Sequence, residues 1–272
     1  MNEAAACILS AAVAASSNKG IKSDGKKPPR LMPAVRQPTM KKEIVILAKS
    51  VKFRQYCIAG REIIRSKSGL SLGEWIRPVN DREDEALSYG EIRFINHAIP
   101  KLLDIVEISL SEKTGSTTQP ENWRINKNIA WAKTGHISKK SLTHFVEAPE
   151  GLWIDSFAAT DRISSQSFAN QSSSSLCIIK PNNFQMKIYT DFDAFAGREK
   201  KRRRGIFDYN GQHYNLAITD PDIDTKYFRP FPKIDEDAKN IIPSNDCLLC
   251  ISLAPEFHGY HYKLIATVIE HE

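Results

Sequence analysis

The densest charge in this 272-residue chain is the run Arg198-Glu199-Lys200-Lys201-Arg202-Arg203-Arg204, six cations in seven positions. Phe207, Tyr209 and Tyr214 follow it directly. Cations followed by rings suit a single-stranded polyanion: Lys and Arg meet phosphates, and bases stack on aromatic faces at about 1–3 kcal/mol each. The competing reading is a solvated basic loop without a ligand. A second pairing of this kind closes "GEWIRPVN" (Gly73 to Asn80), where Trp75 and Arg77 share one face of a strand and Ile76 takes the other. There the choice lies between a stacking platform with a phosphate partner and a Trp that plugs a barrel end while Arg77 pairs with Glu62 or Glu74. The candidate binding residues are therefore Trp75, Arg77, Lys200, Lys201, Arg202, Arg203, Arg204, Phe207 and Tyr209.

Other constellations carry less. Cys247-x-x-Cys250 and His258-x-x-His261 are zinc-ligand types, but seven residues separate the pairs and only two separate the histidines. A C2H2 finger needs about twelve residues between its pairs and three to five between its histidines. Core cysteines in a terminal hairpin are the better reading, and no metal is expected. Asp220, Asp222 and Asp224 open like a calcium loop, yet Thr225 stands where the loop needs Gly and Phe231 where it needs Glu, so the segment reads as a turn. Cys57 sits among alternating apolar residues, as a core side chain does. The sequence has no Gly-rich phosphate loop, no Gly-x-Ser-x-Gly elbow and no His-Glu-x-x-His pair. No catalytic residue or cofactor is assigned, and catalysis is left unsupported.

The elements that must position these residues are mostly strands. A period of two runs from Glu43 to Lys49, from Tyr56 to Arg65, from Glu74 to Val79 and from Leu102 to Ser109, with Gly60 placed for a bulge or bend. "SKSGLSLG" between the second and third reads as turn. "WRIN" is a short strand, and Leu142, Phe145 and Val146 fit one face of a helix over Lys139 to Glu147, with Ser138 as its cap. Thr160 to Ser175 is Ser-rich and without apolar period, so it reads as a linker. Beyond it, "LCIIKP" and "FQMKIY" are β-like, Asn210-Gly211 joins two β-rich segments as a hairpin turn, and two further strands close the chain. Two successive sets of short, coiled strands predict a mainly β protein with short helices, built as two tandem small OB-like β-barrels.

Net charge is +6, of which residues 1–39 supply +4 and the remaining 233 only +2, so any basic site is local. Residues 1–39 mix Pro, Gly and Lys without periodicity and are expected to form a disordered extension ahead of the domain that opens at Met40. Five scattered cysteines make no disulfide framework and point to a reducing cytoplasm. No apolar run approaches the roughly 18 residues of a membrane span.

"IVILAKSVKFRQYCIAGREI", "GEWIRPVN", "PKLLDIVEISL", "PENW" and "CISLAPEFHGYHYKLIATVI" together resemble the dual OB-containing domain family, from Met40 to Glu272. That family's members are mostly prokaryotic. The resemblance implies the fold and the order of blocks, and brings no catalytic residues with it. The expected organisation is an extension (1–39), a first barrel with a helical insert (40–156), a Ser-rich linker (157–179) and a second barrel (180–272). The expected role is a non-catalytic accessory protein that binds nucleic acid, DNA or RNA and in single-stranded form, beside an enzyme encoded elsewhere. The alternative is a protein-interaction scaffold that binds no nucleic acid.

Overall fold

The structure, a computed structural model, describes residues 39–52, 55–67, 69–153, 160–168, 174–193, 197–229, 239–243 and 246–270. The extension expected over residues 1–39 thus lies outside the described residues, apart from Thr39. The first half holds β1 (Met40–Lys52), β2 (Gln55–Ser66), β3 (Gly69–Val79), β4 (Asp104–Lys113), β5 (Asn122–Ile125) and β6 (Ala132–His136). The second holds β7 (Arg162–Ser164), β8 (Leu176–Ile179), β9 (Asn182–Asp193), β10 (Arg198–Tyr209), β11 (Gln212–Ile218), β12 (Lys239–Ile241), β13 (Cys247–Leu253) and β14 (Tyr260–Glu270).

In the first sheet the order is β1-β2-β3-β5-β4, and β4 pairs back onto β1, which closes a five-strand barrel with β6 added beside β4. β3 and β5 are parallel, and the other pairs are antiparallel. The second sheet repeats this order as β9-β10-β11-β14-β13, again with its third and last strands, β11 and β14, parallel. Among the described residues it does not close: β8 occupies the free edge of β13, and β12 the free edge of β9. This is the OB arrangement twice, once closed and once open. The tight coiling has local causes. At Gly60 a side chain would sit 2.0 Å from the Val45 carbonyl oxygen, so only glycine lets β2 press against β1 beside the bulge at Ile46 and Ala48. Asn210 and Gly211 both take positive φ, as the two-residue turn between β10 and β11 requires.

Alternation sorts the apolar residues into three layers. Ile44, Ile46, Ile58, Ile76, Val106 and Ile108 fill the first barrel. Phe184, Met186, Phe207, Tyr214, Leu249 and Ile265 fill the second. Val45, Leu47, Ala59, Trp75, Leu142 and Phe145, on the outside of the first barrel, meet Leu176, Ile178, Leu248, Cys250 and Ala266 from the outside of the second. The two halves are therefore joined by a shared core. Within the expected linker, 157–179, the described residues include two strands, β7 paired with β14 and β8 paired with β13, and the rest of that segment lies partly outside the described residues. Its serines conceal Ile163, Phe168 and the "LCII" run, all buried.

Smaller corrections have equally local reasons. Gly69 to Gly73 belongs to β3 rather than to a turn. Lys139–Phe145 is a 3-10 helix, with Leu142 and Phe145 buried, and the Ser138 side chain makes no capping bond to its backbone. Asp220 opens a short helix (Pro221–Ile223) by accepting from the backbone N–H groups of Asp222 and Ile223, and Pro221 suits the first helical position. A π-helical turn, Asp224–Phe228, continues it. Cys247 and Cys250 face different layers. None of the described cysteines forms a disulfide. No described helix is long and apolar enough to cross a membrane.

Candidate nucleic-acid interface

Burial separates the candidate residues into two groups. Trp75 is 5% exposed, lies opposite Arg61 in the β2–β3 register, and donates its indole N–H to both carboxylate oxygens of Glu147 at 3.1 and 3.3 Å. The Arg61 guanidinium lies 5.8 Å from the indole ring and bonds the same carboxylate at 2.7 Å. Glu147 also accepts from the Ile178 backbone N–H, tying this face of the first barrel to β8. Arg77 is 9% exposed and pairs with Glu121 at 3.0 Å rather than with Glu62 or Glu74, because the parallel partner β5 brings the "PENW" segment beside it. It also donates to the Ser175 hydroxyl at 2.9 Å. A base cannot stack on a ring covered in this way. The outer face of the first barrel is occupied by the chain's own second half.

Phe207 and Tyr209 are likewise interior. Phe207 stacks on Tyr214 at 5.3 Å between ring centroids, and the Tyr209 hydroxyl donates to the Pro149 carbonyl at 2.8 Å. Both alternate with Gly205 on the core side of β10, so they face away from Ile206 and Asp208.

The same alternation divides the cationic run. Arg203 is on the core side and is held against the short helix: its guanidinium bonds Asp224 at 2.5 Å and lies 5.8 Å from the Phe228 ring. Lys201 shares its parity. Lys200, Arg202 and Arg204 stand on the outer face. There β9 supplies their neighbours in register, Lys187 opposite Arg204, Tyr189 opposite Arg202 and Asp191 opposite Lys200. Phe184, Met186 and Ile188 of β9 are buried, which turns Gln185, Lys187 and Tyr189 outward. Arg204 is oriented by the Asn215 amide oxygen at 2.8 Å, and the Arg202 guanidinium lies 3.9 Å from Asp191. The Lys187 ammonium lies 5.8 Å from the centre of the Tyr189 ring.

The outer face of β9 and β10 thus carries Lys187, Arg198, Lys200, Arg202 and Arg204, the aromatic ring of Tyr189, and two carboxylates, Asp191 and Asp208, the latter bonded to Asn183 and to His213. Lys187 and Tyr189 were missed because they precede the charged run by a whole strand. The signal that finds them is the alternation of Phe184, Met186 and Ile188 in "FQMKIY", which leaves the intervening residues on the opposite side. A separate cleft of about 390 Å³ includes Glu147, Leu152, Trp153 and Cys177 in its wall. Glu147 is already committed there to Arg61, Trp75 and Ile178. Burial pushes the Cys177 thiol well above its usual range, which disfavours the thiolate a nucleophile needs.

No curated protein matches the chain. Among solved structures it is similar to a chain of a replication protein A heterotrimer bound to ssDNA, at 11% identity and a TM-score of 0.28, covering 84% of this chain and 47% of that one. It is similar also to the tetrameric p202 HIN2, at 10% identity and a TM-score of 0.27, covering 85% of this chain and 94% of that one. Scores this low extend no property of either protein to this one. The family description for the dual OB-containing domain, in contrast, matches residues 42–268, from β1 to within the last strand, β14. With two sheets that repeat one strand order across that span, the chain belongs to the dual OB-containing domain family.

Proposed function

We propose that this protein binds single-stranded nucleic acid on the outer face of β9 and β10, without a catalytic step of its own. One observation carries the reading: Lys200, Arg202 and Arg204 stand in a row on one face, opposite Lys187 and Tyr189. Alternate residues of a strand repeat at about 6.8 Å, so Lys200 and Arg204 offer positive charge to an extended phosphodiester backbone on either side of Arg202, whose side chain is 12% exposed and lies beside Asp191. Tyr189 lies beside that row as a face on which a base can stack, and stacking accepts any base. The strands concerned are the first and second of an OB sheet, and the second and third strands form the usual ligand face of that fold. The first barrel has Val45, Leu47 and Ala59 on the outer side of its first two strands, covered by the second half. That contrast favours one site per chain, on the second barrel.

The test is a fluorescence-anisotropy titration of the purified protein into a labelled single-stranded oligonucleotide. Binding at micromolar concentration or tighter, weakening as salt rises, is the expected result. Absence of binding up to about 100 µM would leave the protein outside even the range of non-specific affinity and would contradict the proposal.

A further inference from the structure

We infer that the ligand track crosses the outer face of the second barrel from β9 to the start of β14 and ends at a second stacking station, Tyr260 with Arg162. This inference rests on the nucleic-acid reading of β9 and β10. The inserted strand β7 pairs with the start of β14, so that Tyr262 lies opposite Arg162 and Tyr260 opposite Ser164. The Arg162 guanidinium lies 4.9 Å from the Tyr260 ring centre and 5.9 Å from that of Tyr262. Tyr262 is buried beneath, whereas Tyr260 is 37% exposed.

The side of the sheet follows from register. Ile218 and Ile265 are paired and both lie in the interior of the barrel, as does the Tyr214 ring over which the Lys263 ammonium is placed at 5.4 Å. Alternation therefore sets Leu264, Tyr262 and Tyr260 on the outer side, the side of Asn215, Arg204 and Lys187. Thr160 donates to the His213 carbonyl at 3.1 Å, which links the β7 segment to β11 and keeps the surface continuous between them. From β9 to Tyr260 the surface spans β10, β11 and the inserted β7, roughly 15 to 20 Å across before any displacement along the strands. A ring clamped by a guanidinium at one flank and a ring between cations at the other make two stacking points, with Asn215 and the His213–Asp208 pair between them. A ligand long enough to reach both is several nucleotides long, within the range of roughly 4–16 nucleotides used by single OB folds.

The experiment compares labelled thymidine oligomers of about four and about twelve nucleotides on the full chain, its Tyr260→Ala variant and its Tyr260→Leu variant, which retains apolar bulk. The wild type should bind the longer oligomer more tightly than added length alone explains. Both variants should weaken the longer oligomer by roughly 5- to 150-fold while leaving the shorter one, held at Tyr189, unchanged. Unchanged binding of both oligomers by folded variants would overturn the inference and leave the β9–β10 site standing, as would equal weakening of both. A wild-type chain that binds neither oligomer would overturn the β9–β10 site and this extension together.

Discussion

The indole of Trp75 is sealed between Arg61, Glu147 and the shared apolar layer, so its removal is a core deletion. Trp75→Ala should cost about 3–5 kcal/mol of stability in urea titrations, while oligonucleotide affinity, measured where the variant remains folded, should not change. Lys263 offers a pH-dependent counterpart. It is buried in the second barrel, and desolvation brings its ammonium down to about 7. Between that value and the unfolded value near 10.4 the unfolded chain binds the extra proton, so this group makes the protein more stable as pH rises from 7 towards 10. The gain is at most about 1.4 kcal/mol per pH unit. Lys263→Met should flatten that rise, and unfolding free energies at pH 7.5 and 9.5 check it; parallel profiles for the two proteins would show Lys263 to be well solvated. Residue types in the sequence were enough to nominate the cationic run, yet burial within an alternating strand decided which of its members face outward. Trp75 and Phe207 were nominated by type and excluded by side.

Individual elements are fixed by register and by buried polar contacts. The carboxylate of Glu121 meets Arg77 of β3, and it accepts from both the hydroxyl and the backbone N–H of Ser175, just before β8. One side chain thus holds three segments together. Glu121→Gln strips a buried guanidinium of its counter-charge and should destabilise the protein by about 3–5 kcal/mol, measured by denaturant unfolding. The double variant Arg77→Met/Glu121→Leu should recover part of that loss, because two apolar side chains leave no buried charge unmatched. Strand stretches with an unbroken period of two, such as Ile44 to Leu47, were legible from sequence, whereas the bulges that move Ala48 into the layer of Val45 and Leu47, and Val268 into that of Ile265, were not. β6 and β7 were not, being only five and three residues long and held by pairing with distant strands rather than by any pattern of their own. The partner of Arg77 was illegible for the same reason, since Glu121 reaches it only through the parallel β3–β5 pairing.

At the scale of the molecule, the layer between the barrels draws on both halves, and neither can lose it without exposing core. Urea unfolding followed by tryptophan fluorescence and by far-ultraviolet circular dichroism should therefore give one coincident transition. Two resolved transitions would show the barrels to be independent. The sequence carries a hint of this arrangement, because β1, β13 and β14 are apolar on both faces, as strands covered on both sides are. It could not show which outer face is left to bind a ligand, which depends on how the second half lies against the first. The proposed phosphate contacts on the outer face of β9 and β10 run through Lys200, Arg202 and Arg204. The most direct measurement is the slope of log K against log salt for a single-stranded oligonucleotide, taken on the wild type and on the triple variant Lys200→Gln/Arg202→Gln/Arg204→Gln. Each lost phosphate contact should reduce the slope's magnitude by about 0.7, so with two or three contacts the proposal predicts a fall of about 1.4 to 2.1, with the unfolding midpoint little changed. A triple variant with the wild-type slope and affinity would contradict it.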